Sequence, residues 1–246
     1  MKLYKWTWLL LIGASLMVST GCVSMSGHRA AVLEPNVRLD QLLALYQDAR
    51  HDGRSCHEIK RAYSAVNDCE RIQREVERLA MEFPGNERIV MANAVMQFES
   101  NRNDKAQYTL DQLLSRPGAH PEAAILRSRI AMQDGNLTRA RNILQREINL
   151  SPEYAELREA LAATYYLEGK YTLARSALSA AGRLGASGWR TAYHEGLLRE
   201  ARGEWASACR FYLIALDQKP DFRPAVSRLI GLGDNSACDV SAERDI

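Results

Sequence analysis

The chain has no charge of either sign to spare: its 246 residues carry 32 Lys and Arg against 30 Asp and Glu. Two of those cations, Lys2 and Lys5, fall in the first 22 residues, so 30 stand against 30 over the rest. A surface that works against nucleic acid or anionic lipid needs a basic excess, so neither is expected as a working partner. Charges of both signs are interspersed, as in ERIQREVER at 70–78, which reads as solvated helix faces.

Catalytic signatures are also missing. There is no phosphate-cradling GxxxxGK[ST], no GxSxG elbow and no HExxH. The five histidines (His28, His51, His57, His120, His194) are scattered, and none recurs at i, i+3 or i+4 with another His or with a carboxylate arranged for metal, so no metal and no cofactor is expected. Glu156 and Glu159 share a helix face, but a glycosidase pair also needs a closed cleft, and a solvated face accounts for them. Cys56 beside His57 could make a thiol nucleophile, but Cys69 nearby makes a disulfide the better reading. The chain is therefore read as no enzyme. Strand-like alternation is absent, and the apolar run from Trp6 to Val18 is about a dozen residues, short of the ~18–20 that span a bilayer.

What the chain has is a period. Gly135, Gly169 and Gly203 are 34 residues apart, as are Ala106, Ala140, Ala174 and Ala208. Pro84, Pro152 and Pro220 are separated by 68 and 68, with Gly118 and Ala186 at the midpoints. Ala94, Ser128, Ala162 and Gly196 form a second small column; Val76, Leu110, Leu144, Leu178 and Tyr212 form a large one. The glycine ends one helix in a left-handed residue, the alanine marks a close helix–helix approach, and the proline ends the second helix. The pattern predicts an all-α stack of helix-turn-helix units.

These columns resemble the tetratricopeptide repeat. The copies at 155–188 (Leu161, Ala162, Tyr165, Gly169, Ala174, Leu178) and 189–222 (Gly196, Gly203, Ala208, Tyr212, Ala215, Pro220) are clearest, and 121–154 follows through Ala131, Gly135, Ala140, Leu144 and Pro152. At 87–120 Asn101 replaces the turn glycine and Gly118 the proline; at 53–86 only Val76, Leu79 and Pro84 match well. The resemblance implies a right-handed superhelix of about five units: N-terminal helices and a degenerate first repeat at 36–86, four units at 87–222, and a capping helix and tail at 223–246.

Residues 1–21 have the anatomy of an export signal, with Lys2 and Lys5 before the apolar run and Ser19, Thr20 and Gly21 before Cys22. The ending resembles a bacterial lipobox, although Ser19 stands where Leu is usual. That resemblance implies acylation of Cys22, palmitate included, and a lipid anchor in the membrane. Val23 in place of Asp favours, by similarity to enterobacterial sorting, the periplasmic face of the outer membrane. Residues 22–35 read as the lipidated cysteine and its tether. A plain secretory signal with Cys22 incidental is the alternative.

With Cys22 set aside, Cys56, Cys69, Cys209 and Cys238 are an even set in an oxidising compartment, and the natural pairs are 56–69 and 209–238. The first pair requires residues 54–68 to be short or bent, because an unbroken helix would hold the two sulfurs apart. Free thiols, or a metal site of Cys56, His57 and Cys69, are the alternatives.

In tetratricopeptide proteins positions 2, 5, 9 and 12 of each unit face a concave groove. Here they are Arg88, Met91, Val95 and Phe98; Glu122, Ile125, Arg129 and Met132; Glu156, Glu159, Ala163 and Tyr166; Arg190, Tyr193, Leu197 and Glu200. The resemblance implies a protein- or peptide-binding stripe of Met91, Phe98, Ile125, Met132, Tyr166 and Tyr193 rimmed by charges. The chaperone-tail clamp of some relatives needs Lys and Asn where Ala92, Val95, Ile125 and Arg129 stand, so an acidic C-terminal peptide is not implied. A competing expectation is that the helix at Leu39–Ala49 packs into the groove and uses up the stripe. The whole reads as a non-catalytic scaffold for protein binding in an envelope, secretion or pilus complex. The alternatives are a cell-wall enzyme or binding module with its site in the atypical ends, and a self-assembling subunit.

Overall fold

The computed structural model describes residues 34–49, 68–233 and 238. The signal segment, Cys22, Cys56 and nearly all of the tether lie outside them, as does the 53–67 half of the first repeat. Among the described residues there are eleven helices and no strand: α1 Pro35–Ala49, α2 Asp68–Glu82, α3 Glu87–Glu99, α4 Asn103–Leu114, α5 Pro121–Gln133, α6 Leu137–Leu150, α7 Ala155–Leu167, α8 Tyr171–Arg183, α9 Gly188–Glu200, α10 Trp205–Gln218 and α11 Arg223–Gly233. None is long and apolar enough to cross a membrane.

Four turns at 34-residue spacing close in one way. Asn101, Gly135, Gly169 and Gly203 have φ of 56°, 74°, 73° and 75°. In each turn that residue's amide bonds three residues back, and the next amide five back: Arg102 N to Gln97 O 2.9 Å, Asn136 N to Ala131 O 2.8 Å, Lys170 N to Tyr165 O 2.8 Å, Glu204 N to Arg199 O 3.0 Å. This Schellman geometry satisfies the last carbonyls of the first helix and reverses the chain. Asn101 does what glycine does elsewhere, since asparagine tolerates the left-handed region.

The second helices end ahead of proline: α2 before Pro84, α6 before Pro152, α10 before Pro220. Where Ala186 replaces proline, Gly185 at φ 89° ends α8 with the same pair of bonds, to Gly182 O and Ala181 O at 3.1 Å. Asn86 and Asn136 cap α3 and α6, their side-chain oxygens accepting from Ile89 N at 3.3 Å and Arg139 N at 3.0 Å.

The columns become the core. Ala106, Ala140, Ala174 and Ala208 are buried, as are Ala94, Ser128, Ala162 and Gly196 opposite them. Leu110, Leu144 and Leu178 fill the space the small residues leave, each worth about 2 kcal/mol of transfer energy. Consecutive hairpins α3–α4, α5–α6, α7–α8 and α9–α10 stack in sequence, and α11 packs on α10.

The period also governs polar contacts between hairpins. Gln73 donates to Ser100 Oγ, Gln107 to Asp134 Oδ2 at 3.1 Å, and Arg141 to Glu168. The next members are Arg175 and Arg202, both cationic, and Arg175 turns to Glu195 instead, at 3.9 Å.

At the N-terminal end α1 packs against α2 and α3. Leu39 and Tyr46 bury against Ile72, Val76 and Leu79 of α2 and Ile89 and Met96 of α3. Arg38 pairs with Glu82 at 3.2 Å, and Tyr46 donates to Glu99 at 2.9 Å. At the other end a Cys209–Cys238 disulfide, with Cα atoms 5.6 Å apart, returns the chain beyond α11 to α10. Cys69 is also disulfide-bonded, and its partner sulfur lies outside the described residues.

Candidate interaction groove

The first helices of the hairpins, α3, α5, α7 and α9, carry the sixteen positions expected to line the groove. Arg88, Glu122 and Arg129 are exposed; Glu159 and Leu197 are buried; the remaining eleven are partly buried. All six apolar and aromatic residues of the expected stripe, from Met91 to Tyr193, belong to that partly buried class.

The C-terminal end of the wall is occupied by the chain itself. Tyr193 packs edge-on against Phe222, centroids 5.1 Å apart at 88°, and lies 5.7 Å from Tyr212. Glu200 accepts from the Tyr212 hydroxyl and pairs with Arg228 of α11 at 2.9 Å. Tyr193 and Glu200 thus hold the capping helix. Arg190 is likewise engaged, bonding Glu156 and Glu159 at 3.1 Å each. Burial raises the Glu159 carboxyl above its ordinary value; Arg190 pulls it back, and Glu156 pushes it up again.

The centre of the wall stays open. Arg129 lies over the Phe98 ring, 5.2 Å from its centroid, and has no carboxylate partner among the described residues. Met132 takes a 3.3 Å contact from the Thr164 hydroxyl, and Tyr166 stands 5.9 Å from Tyr171. Burial, first of all, raises the Tyr166 hydroxyl above its usual value.

Two cavities open on this wall. One of about 450 Å³ runs between α1 and α3, with Leu43, Tyr46 and Gln47 facing Met91, Ala92 and Val95. The helix at Leu39–Ala49 therefore adds a side wall at this end and leaves space between itself and α3. A second cavity, of about 280 Å³, lies against Glu87, Leu113 and His120, and both touch Met91 and Glu122.

The expected helix at Leu39–Ala49 is present, and it borders the stripe at Met91 and Val95 without filling the space beside them. Leu39, Leu42, Leu43 and Tyr46 stand at helical spacing, and that amphipathic face was the available signal. Among the described residues no cluster of three metal-ligating side chains occurs.

No family model matches the chain, and no curated protein does. Solved structures do. TTC0263, a thermophilic TPR protein of Thermus thermophilus, superposes with a TM-score of 0.63 at 18% identity, covering 81% of this chain and 98% of that one. A tetratricopeptide repeat protein from Parabacteroides merdae gives 0.55 at 14% identity, covering 82% and 75%. At these identities the likeness concerns the fold, which is the all-α solenoid of tetratricopeptide repeats.

Proposed function

We propose that this tetratricopeptide-repeat chain is a non-catalytic adaptor that holds a segment of a partner protein against the inner wall of α3, α5 and α7. The observation that carries the reading is the open stretch of that wall at α3 and α5. Two cavities meet at Met91 and Glu122, beside half-buried apolar side chains and open toward α1, while the far end is closed by the chain's own capping helix and ion pairs. Half-buried apolar surface with a charged rim is how protein recognition surfaces are built.

The adaptor works from a lipid anchor at Cys22, on the periplasmic face of the bacterial outer membrane, within an envelope-assembly, secretion or pilus complex. Support for this address comes from the signal-like residues 1–21, the lipobox-like ending and Val23. The Cys209–Cys238 bridge agrees with an oxidising compartment.

Two measurements test the reading. A photocrosslinker at Ile125 in cells should give a discrete protein adduct, while one at Tyr108, 69% exposed and outside the groove, should not. The double substitution Tyr166→Ala with Arg129→Glu should remove that adduct while helical content stays intact. Identical adducts from both sites would retire the groove. Labelled palmitate should enter the wild-type chain and not Cys22→Ser, and equal incorporation would retire the anchor.

A further inference from the structure

Five charged residues from successive inner-wall helices stand near the same level of the groove: Asp40 of α1, Arg88 of α3, Glu122 of α5, Glu156 of α7 and Arg190 of α9. They sort into closed pairs with one remainder. Arg88 bonds Asp40, and Arg190 bonds Glu156 at 3.1 Å. Glu122 stands between these pairs, close enough to the Tyr154 hydroxyl for its charge to join burial in raising that group above its usual value, and has no cation among the described residues. Its carboxylate is exposed and borders both cavities, whose shared apolar wall is Met91.

We infer that Glu122 receives a basic side chain of the bound segment, so that the partner is an apolar peptide stretch carrying Lys or Arg. This rests on the adaptor reading and adds the partner's charge to it. A lysine or arginine stem is long enough to lie along Met91 and Val95 while its cationic head stays at the rim beside Glu122. The surroundings favour that sign. Glu87 borders the smaller cavity and Glu99 the larger, and the arginine that reaches the larger one, Arg88, is bonded to Asp40. Glu87 faces the His120 ring at 3.4 Å, so Glu122 is the carboxylate of this wall without a partner of that kind among the described residues. A carboxylate arriving here would meet Glu122 with Arg88 already engaged, and like charges brought together select against it.

The opposite sign has its own candidate, Arg129, which stacks on Phe98 away from both cavities. The two occupants are separable. The probes are three synthetic amphipathic helices with the same leucine stripe, flanked by lysine, glutamine or glutamate. Each is titrated by fluorescence anisotropy against the full-length chain and against Glu122→Gln, Glu122→Lys and Arg129→Glu, whose helical content is checked first.

The lysine peptide should bind wild type about five-fold more tightly than the glutamine peptide. Glu122→Gln should erase that preference, and Glu122→Lys should turn it toward glutamate. Added salt should narrow every difference. A lysine preference that survives Glu122→Gln overturns the inference, as does a wild-type preference for glutamate that Arg129→Glu removes. Equal binding of all three peptides overturns the inference and leaves the adaptor reading standing. Failure of all three to bind at millimolar concentration removes the groove as a capture surface, and with it both readings.

Discussion

A methyl group placed on Gly196 would lie 2.4 Å from Cε1 of Tyr212. Across the other hairpins the same two columns pair Ala94 with Leu110, Ser128 with Leu144 and Ala162 with Leu178. In the last hairpin the large residue has grown to tyrosine and the small one has shrunk to glycine, so the summed volume is conserved. Tyr212 is wholly buried, with its hydroxyl directed at Glu200. Gly196→Ala should therefore cost about 1–3 kcal/mol through overpacking, measured by urea unfolding. Combining it with Tyr212→Leu should recover much of that loss. Additive losses in the double variant would show that the two positions do not compete for one volume.

The break in the polar column predicts a gain. Arg175 and Arg202 hold the positions at which Arg141 and Glu168 pair one unit earlier, and both arginines act on the nearby Glu204 carboxylate, with Arg199 its principal partner. Arg202→Glu would complete the column between α8 and the end of α9. We expect about 0.5 kcal/mol of added stability, shrinking in high salt, read as a rise in Tm. No change, or a fall, would mean that Arg175 is satisfied by Glu195 alone.

The 34-residue columns made the hairpins legible because each column has one physical cause: a left-handed turn, a close approach or a filled core. Asn101 shows how a departure from the pattern can keep the geometry, since its φ of 56° closes the turn as glycine would. The groove was legible as a set of positions but not as a surface. Tyr193 and Glu200 occupy inward positions, yet they hold α11, because a terminal unit must bury a face that inner units give to a neighbour. The helix at Leu39–Ala49 was legible from its apolar spacing, but not the way Leu39 and Tyr46 join the core of α2 and α3 while a cavity stays open beside Leu43.

The Cys209–Cys238 bridge closes a loop over a sequence separation of 29 residues at the end of the stack. Its loss removes about 3–4 kcal/mol in the chain-entropy model. Stability in such stacks is passed between neighbours, so the effect should stay local. In Cys209→Ala with Cys238→Ala, hydrogen exchange should quicken in α10 and α11 and stay unchanged in α3 to α6. Uniform quickening along the chain would mean that the stack unfolds as one block.

His194 gives the last hairpin a pH dependence of known sign. Its ring borders a small void lined by Ala162, Tyr166, Ala174, Leu178, Leu197 and Leu198, and burial, helped by the charge of Arg190, lowers its pKa to about 4. The unfolded chain, with histidine near 6.5, binds the proton first. Stability from this group is therefore whole above about pH 6.5 and falls as pH drops toward 4, by up to about 3 kcal/mol. Glu159 works in the other direction, because its raised pKa lets the folded state take a proton earlier than the unfolded chain. The comparison that isolates the histidine is wild type against His194→Gln, which is neutral throughout. Their Tm values should keep a constant offset from pH 7 to 8, and wild type should lose ground to the variant steadily between pH 6.5 and 4.5. Parallel curves over that lower range would show that the imidazole takes up its proton in the folded state as readily as in the unfolded one.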